Sequence, residues 1–287
     1  MHFTEETVTI SALFKHVLNK VKTMNLIKIA SWNVNSVRAR LDSILPWIET
    51  HQPDVLAMQE TKVENDHFPA AVFEELGYHT MFHGQKSYNG VAIISRNPVE
   101  EVCTSWPGDH NDLECRLLVG TFNGIRIINV YVPNGQSIDS EKYTYKLEWL
   151  KRLRDFVEEE LAQHPNMIIL GDFNIAPKDD DVYDPKVWQD CVLVSDLERQ
   201  GLERLFRLGF QDSYRLFDHP KDQYSWWDYR AAAFRRNMGL RIDLILVSGA
   251  LTSRCVKSEI DKTPRSDDKP SDHAPVWIHC EALAKDE

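Results

Sequence analysis

The chain of 287 residues is poor in cysteine, and the five it has, Cys103, Cys115, Cys191, Cys255 and Cys280, are odd in number and far apart, with no Cys-x-x-Cys pair. That argues against a disulfide framework or a zinc–thiolate cluster and for a reducing compartment. No apolar run is long enough to span a bilayer, so no membrane association is expected. The 12 Gly and 13 Pro are scattered rather than clustered, and no low-complexity stretch, internal repeat or linker stands out. Positive charge is scarce too: 33 Lys and Arg against 44 Asp and Glu leave a net charge of −11. A chain with this balance does not attract polyanions by overall charge. Net charge, however, describes the whole surface and not one face, so a nucleic-acid partner has to be argued from motifs.

What is present is ordinary globular material, 43% hydrophobic and 27% charged residues, enough to bury a substantial core without covalent staples. Met1 to Thr23 carries Leu13, Phe14, Val17, Leu18 and Val21 at helical spacing, with Lys15, Lys20 and Lys22 between them. It lacks the apolar block and small-residue cleavage site of a secretory signal. Two readings stand: a short amphipathic helix, or a poorly ordered N-terminal extension (residues 1–23) with Met24 as the start of a single domain covering 24–287.

Short, β-branched apolar runs predict strands at Leu26–Ser31, Asp54–Met58, Val91–Ser95, Ile125–Tyr131, Met167–Leu170, Ile242–Val247 and Ala274–Ile278. Helical spacing predicts helices over Val37–Thr50 with Ser36 as N-cap, over Glu141–Gln163, and over Leu197–Leu208 ended by Gly209. Strands and helices in both halves of the chain fit two sheets packed face to face with helices outside.

The chemistry is in what stands at the tips of these runs. Asn33, Glu60, Tyr131, Asp172 with Asn174, Asp243, and the pair Asp272-His273 each adjoin an apolar strand. In isolation each is read as a turn residue or helix cap; six together point to strand ends converging on one site. The residue types suit phosphodiester hydrolysis. Mg²⁺ takes oxygen ligands and keeps waters, and Asn33, Glu60, Asp172, Asn174 and Asp272 supply such oxygens. His273 serves proton transfer or phosphate contact, oriented by a carboxylate such as Asp243, and Tyr131 offers a phenolic donor.

Several longer segments resemble the signatures of the exonuclease III family of AP endonucleases, within the endonuclease/exonuclease/phosphatase superfamily. They are Trp32–Arg40, Gln59–Lys62, Gly171–Pro177, Tyr224–Arg230, Gly239–Leu246 and Lys269–Trp277, in order along the chain from about Asn25 to Cys280. The resemblance implies an α/β fold, a four-layer sandwich of two mixed sheets flanked by helices. It implies a Mg²⁺-dependent enzyme (Mn²⁺ as substitute) that cuts duplex DNA 5′ to abasic sites and degrades it from 3′ ends, a monomer in the cytoplasm at the nucleoid. Glu60 would be the principal metal ligand, with Asn33, Asp172, Asn174, Asp272 and His273 around it. Asp172 would handle the proton of the attacking water or leaving group, Asn174 and Tyr131 would hold the phosphate, and His273 with Asp243 would contact it. Asn35, Arg38 and Arg230 would bind DNA, while Trp226 and Leu240 would wall the pocket for the extruded abasic sugar; Trp227 reads as core. An abasic sugar is cheaper to rotate out of the helix than an intact nucleotide, and an indole with a leucine accepts a bare deoxyribose.

Arg38, Arg40, Lys62, Lys86, Arg230, Arg235, Arg236 and Arg241 lie in or beside these segments, which predicts a basic rim binding phosphates without sequence readout. Asp179-Asp180-Asp181 reads as a solvated loop. Two alternatives compete: a superfamily phosphatase acting on inositol phosphates or phospholipid headgroups, which would not need the Trp226 segment, and a catalytically silent DNA-binding scaffold, which would be free to lose a site residue, although none is missing.

Overall fold

A computed structural model describes residues 25–106 and 114–283; the expectation for residues 1–23 lies outside them. In chain order the strands are β1 (Leu26–Asn33), β2 (Val55–Gln59), β3 (His79–His83), β4 (Val91–Ser95), β5 (Glu100–Cys103), β6 (Leu117–Phe122), β7 (Ile125–Tyr131), β8 (Met167–Asp172), β9 (Gln211–Asp212), β10 (Asp243–Val247), β11 (Cys255–Ile260) and β12 (Val276–Glu281). The α-helices are α1 (Leu41–His51), α2 (Ala70–Glu74), α3 (Glu141–Gln163), α4 (Pro185–Trp188), α5 (Asp196–Arg207) and α6 (Gly249–Thr252).

The strands form two six-stranded sheets, β11-β12-β1-β2-β4-β3 and β5-β6-β7-β8-β10-β9. Each is mixed: β1 runs parallel to β2 and β7 parallel to β8, while the other pairs are antiparallel. Side chains alternate across a strand, so each central strand feeds two cores. Ile29, Ala57 and Ile93 of the first sheet meet Leu118, Ile127, Leu170 and Ile245 of the second between the layers. Ala30, Trp32, Leu56 and Ile94 face outward onto Ile44, Trp47 and Ile48 of α1. On the other outside, Val119, Ile128, Ile169 and Leu244 pack under Trp149, Leu153 and Val157 of α3 and Leu202 and Leu205 of α5. The result is the expected four-layer sandwich. Burial on both faces explains why these strands read as continuous apolar runs.

Hydrogen bonds cross the apolar middle at Gln59 and Asn129. Gln59 Nε2 donates to Asn129 Oδ1 at 2.8 Å, and Asn129 Nδ2 donates to the carbonyls of Met58 at 3.1 Å and Ala92 at 2.9 Å. Both side chains are fully buried.

The helix predicted at Val37–Thr50 begins later than expected. Ser36 is not its cap: it sits at φ 90, with its N–H bonded to the Glu60 carbonyl. A 3₁₀ turn at Arg38–Arg40 follows before α1. Ser140 caps α3 as a helix of Glu141–Gln163, and Ser195 with Glu198 forms a capping box on α5. None of the five cysteines is in a disulfide.

Candidate active site

Register brings the polar tips together. Tyr131 and Asp172 are partners across the parallel pair β7/β8, Asp172 and Asp243 across β8/β10, and Asn33 and Gln59 across β1/β2. Glu60, next after Gln59, turns away from the strand at φ 51, and Asn35, Lys62 and Asn174 also adopt left-handed backbone. Such conformations cost free energy and concentrate where side chains must be aimed. Gly171 is needed for a different reason: a Cβ there would sit 1.9 Å from the Val130 carbonyl oxygen, so only glycine lets β8 lie this close to β7.

The side chains form one bonded cluster. Asn33 Nδ2 donates both to Glu60 Oε1 and to Asp172 Oδ2, each at 2.9 Å. Tyr131 Oη donates to Glu60 Oε1 at 2.9 Å. Asn174 donates to Asp172 through its backbone N–H at 2.9 Å and its amide at 3.2 Å. His273 Nδ1 lies 2.9 Å from Asp243 Oδ2, and its Nε2 lies 3.8 Å from Asp172 Oδ2. Asp272 is held apart from this group, its two oxygens accepting from Asn35 Nδ2 at 2.8 Å and Trp226 Nε1 at 3.0 Å.

The electrostatics follow from burial and neighbours. Burial, with the like charges of Asp243 and Glu60, pushes the Asp172 carboxyl up to about 7 against the opposing pull of His273. Burial works against the imidazolium of His273, but the carboxylates of Asp243 and Asp172 prevail and raise it to about 10. Burial likewise opposes ionisation of Glu60, yet the Lys62 ammonium, 2.7 Å from its Oε2, and the Asn33 amide hold it below the usual range. Tyr131 is raised well above its ordinary value by burial and by Glu60 and Asp172, so its hydroxyl remains a donor.

Glu60, Asp172 and His273 bring ligand atoms within 4.8 Å of one another. The two carboxylates at that spacing fit one divalent cation, with the side chains of Asn33 and Asn174 beside them; Asp272 stands apart on Asn35 and Trp226, and His273 would have to lose its proton to serve as a third ligand. Lys62 partly supplies the positive charge that Glu60 calls for.

The remaining predicted residues take distinct places. Asn35 also donates to the Tyr229 hydroxyl at 3.2 Å, tying the Trp32–Arg40 segment to the Tyr224–Arg230 segment. Arg38 and Arg230 are exposed, as are Lys86, Arg235 and Arg236. Trp226 is half-buried beside the cluster, its ring meeting that of Trp188 edge-on at 6.4 Å. Leu240 is fully covered and lies behind Trp226, exchanging backbone hydrogen bonds with it. Trp227 is core.

Two expectations are corrected. Arg241 is not part of a basic rim: it is buried, at 2.7 Å from Asp181 and 2.6 Å from Asp212. Asp181 is correspondingly no solvated loop residue, since an arginine in the interior demands a carboxylate partner; it also pairs with Arg215 at 2.7 Å. Some residues of the site were not singled out in the sequence. Ser225 Oγ accepts from the N–H groups of Ile242 and Asp243 at 3.0 Å, fixing Asp243 beneath His273. Ser271 Oγ donates to the Asn33 carbonyl at 2.7 Å and accepts from the His273 N–H at 3.2 Å. Both serines lie inside the quoted segments, but hydroxyls bonding to distant backbone leave no periodic signal.

Residues 30–273 match the family model described as the Endonuclease/Exonuclease/phosphatase family. The chain is 38% identical over 263 residues to exodeoxyribonuclease III of Haemophilus influenzae, a match covering 88% of this chain and 98% of that protein. Among solved structures, a 3′ phosphatase from Neisseria bound to a product DNA hairpin is 42% identical with a TM-score of 0.87, covering 89% of this chain and 99% of that one. An AP endonuclease from Archaeoglobus fulgidus is 41% identical with a TM-score of 0.84, covering 88% and 98%.

Proposed function

The chain belongs to the endonuclease/exonuclease/phosphatase family and, within it, to the exodeoxyribonuclease III group of DNA-repair nucleases, and from that membership we propose that it hydrolyses duplex DNA 5′ to abasic sites and trims 3′ ends. The observation that carries the reading is the convergence of Glu60, Asp172 and His273, from three strand ends of two sheets, within 4.8 Å. The alternative of an inositol-phosphate or headgroup phosphatase has less support, because the Tyr224–Arg230 segment is built into the site through the Trp226–Asp272 and Tyr229–Asn35 hydrogen bonds.

Mg²⁺, with Mn²⁺ as substitute, would be held by Glu60 and Asp172, with Asn33 and Asn174 nearby; His273, protonated beside Asp243, would stand at the rim of that site as a donor and not as a ligand. When bound it supplies charge that stabilises the phosphate oxygens in the transition state. The chain's own groups do the rest. Tyr131 and the Asn174 amide hold the non-bridging oxygens. His273, kept cationic by Asp243, adds a charge-assisted donor at Nε2. Asp172, aimed by the two donors of Asn174 and facing His273, is the carboxylate that takes a proton from the attacking water. Trp226 contacts the extruded sugar, Leu240 backs it, and Asn35, Arg38 and Arg230 contact DNA. No helix among the described residues is long and apolar enough to cross a membrane. The reading places a monomer of one domain, residues 24–287, in the cytoplasm at the nucleoid.

The test is incision of an abasic duplex and digestion of a recessed 3′ end, beside hydrolysis of an inositol polyphosphate, each with Mg²⁺, with Mn²⁺ and with chelator. Metal-dependent turnover of both DNA substrates and none of the inositol is expected. Turnover of the inositol alone would reverse the assignment.

A further inference from the structure

A lysine and a glutamate lie fully buried behind the site, where an apolar pair would pack without any cost of removing charge from water. Lys146, on α3, and Glu198, on α5, both have 0% side-chain exposure, and their charged atoms are 2.5 Å apart. An ammonium has three N–H donors, and all three are used. One goes to Glu198, one to the Asn174 carbonyl at 2.7 Å and one to the Asn134 carbonyl at 3.1 Å. Those carbonyls belong to the loops that leave β8 and β7 at the site. The two loops also meet through their side chains, Asn134 Nδ2 donating to Asn174 Oδ1 at 3.0 Å.

Glu198 is equally engaged. It accepts from the N–H of Leu193 at 3.0 Å, and from the N–H and hydroxyl of Ser195 at 3.0 and 2.6 Å. The pair therefore fastens the two loops to the capped end of α5. Gly135, at φ +94, lies between the asparagine and the stem of Lys146; a Cβ there would come within 3.2 Å of Lys146 Cδ. The loop is pressed onto the lysine.

We propose that Lys146, neutralised by Glu198, is a positioning residue for hydrolysis: it fixes the backbone of Asn134 and Asn174 so that the Asn174 side chain, braced by the Asn134 amide, is held where it meets the scissile phosphate. The inference rests on the functional reading above, in which Asn174 holds that phosphate. Displacing that side chain weakens contacts made in the transition state while leaving DNA contacts elsewhere intact, so the loss falls on kcat and not on KM.

The experiment uses the full chain carrying Lys146→Met with Glu198→Gln, which removes both charges and leaves neither stranded. Steady-state incision of an abasic duplex is measured beside the melting temperature. The expected result is a kcat reduced by at least about tenfold, with KM within about twofold and melting near that of the parent. A kcat equal to the parent's overturns the proposal and leaves the pair a packing feature. Should the double variant not fold, Lys146→Gln with Glu198→Gln keeps a polar pair without stranding a charge; a kcat several-fold lower at constant KM supports the proposal, and an unchanged kcat overturns it. A parent chain inactive on DNA would sink the functional reading and this inference with it, whereas an active parent with an unaffected variant sinks the inference alone.

Discussion

His273 and Asp243 come from different sheets and meet at 2.9 Å, the imidazole from the loop before β12 and the carboxylate from the first residue of β10. That contact raises His273 to about 10 against its own burial. A group raised on folding stabilises fully below its unfolded pKa, near 6.5, and that contribution fades as pH climbs through about 10. Asp243→Asn should therefore lower the His273 pKa, read by NMR titration, and cut kcat by about a hundredfold to ten-thousandfold through loss of charge and tautomer control. An imidazole that still titrates near 10 in the variant would show that Asp243 does not set it.

Glu60→Gln should abolish most DNA hydrolysis while the chain stays folded. The substitution keeps size and the acceptor for Tyr131 and Asn33 but removes the charge that draws a divalent cation. We expect kcat to fall by at least about a hundredfold and calorimetric Mg²⁺ affinity to fall with it, at a melting temperature close to the parent's. Incision at near-parental rate in Mg²⁺ would remove Glu60 from the metal site.

Trp226→Ala should harm abasic-site incision more than cleavage of a small activated phosphodiester. Loss of an aromatic contact of this kind is worth about 1–3 kcal/mol, or roughly tenfold to hundredfold. Because the indole also donates to Asp272, Trp226→Phe is the control that drops the hydrogen bond and keeps a ring. We expect Phe to retain most abasic incision. Equal losses on both substrates for the alanine variant would make Trp226 a structural residue.

Asp181→Asn should destabilise the fold by about 2–3 kcal/mol, since it weakens the charge-assisted bonds to Arg241 and Arg215 while Asp212 still serves Arg241. Burial opposes ionisation of Asp181, but both arginines hold its carboxyl below the usual value. A depressed carboxylate stabilises above its unfolded pKa, near 3.9, and the effect is lost as pH falls through the lower folded value. Urea titrations of parent and variant should converge with acidification below about pH 4. A gap that persists undiminished would mean the effect is packing and not charge.

The sequence was most readable where burial is two-sided. β4 and β7 and the helix α3 fall where the apolar patterns placed them, and the polar tips of the central strands meet in one hydrogen-bonded cluster. The edges were harder. His79–His83, Glu100–Cys103 and Cys255–Ile260 are partly solvated and lack an apolar run, and Gly120 interrupts β6 where it must clear the Val99 side chain. Arg241 and Asp181 were misassigned for one reason: charge in a sequence reads as surface until a partner distant along the chain is known. Ser36 looked like a helix cap, but its backbone is taken by Glu60, a tertiary bond that local preference cannot anticipate.

The Gln59–Asn129 contact has a consequence for how the two layers find each other. Facing sheets of Ile, Leu and Val are slippery; hydrocarbon grips hydrocarbon about equally well at many alignments. An amide peg driven through that interface fits one hole. Slide either layer by a residue and Asn129 loses the Met58 and Ala92 carbonyls, leaving polar atoms stranded in oil. Since Gln59 is chained directly to Glu60, the alignment that seats the peg is also the one that brings the carboxylate opposite Tyr131 and Asp172, so a chain folded out of step would be both unstable and inert.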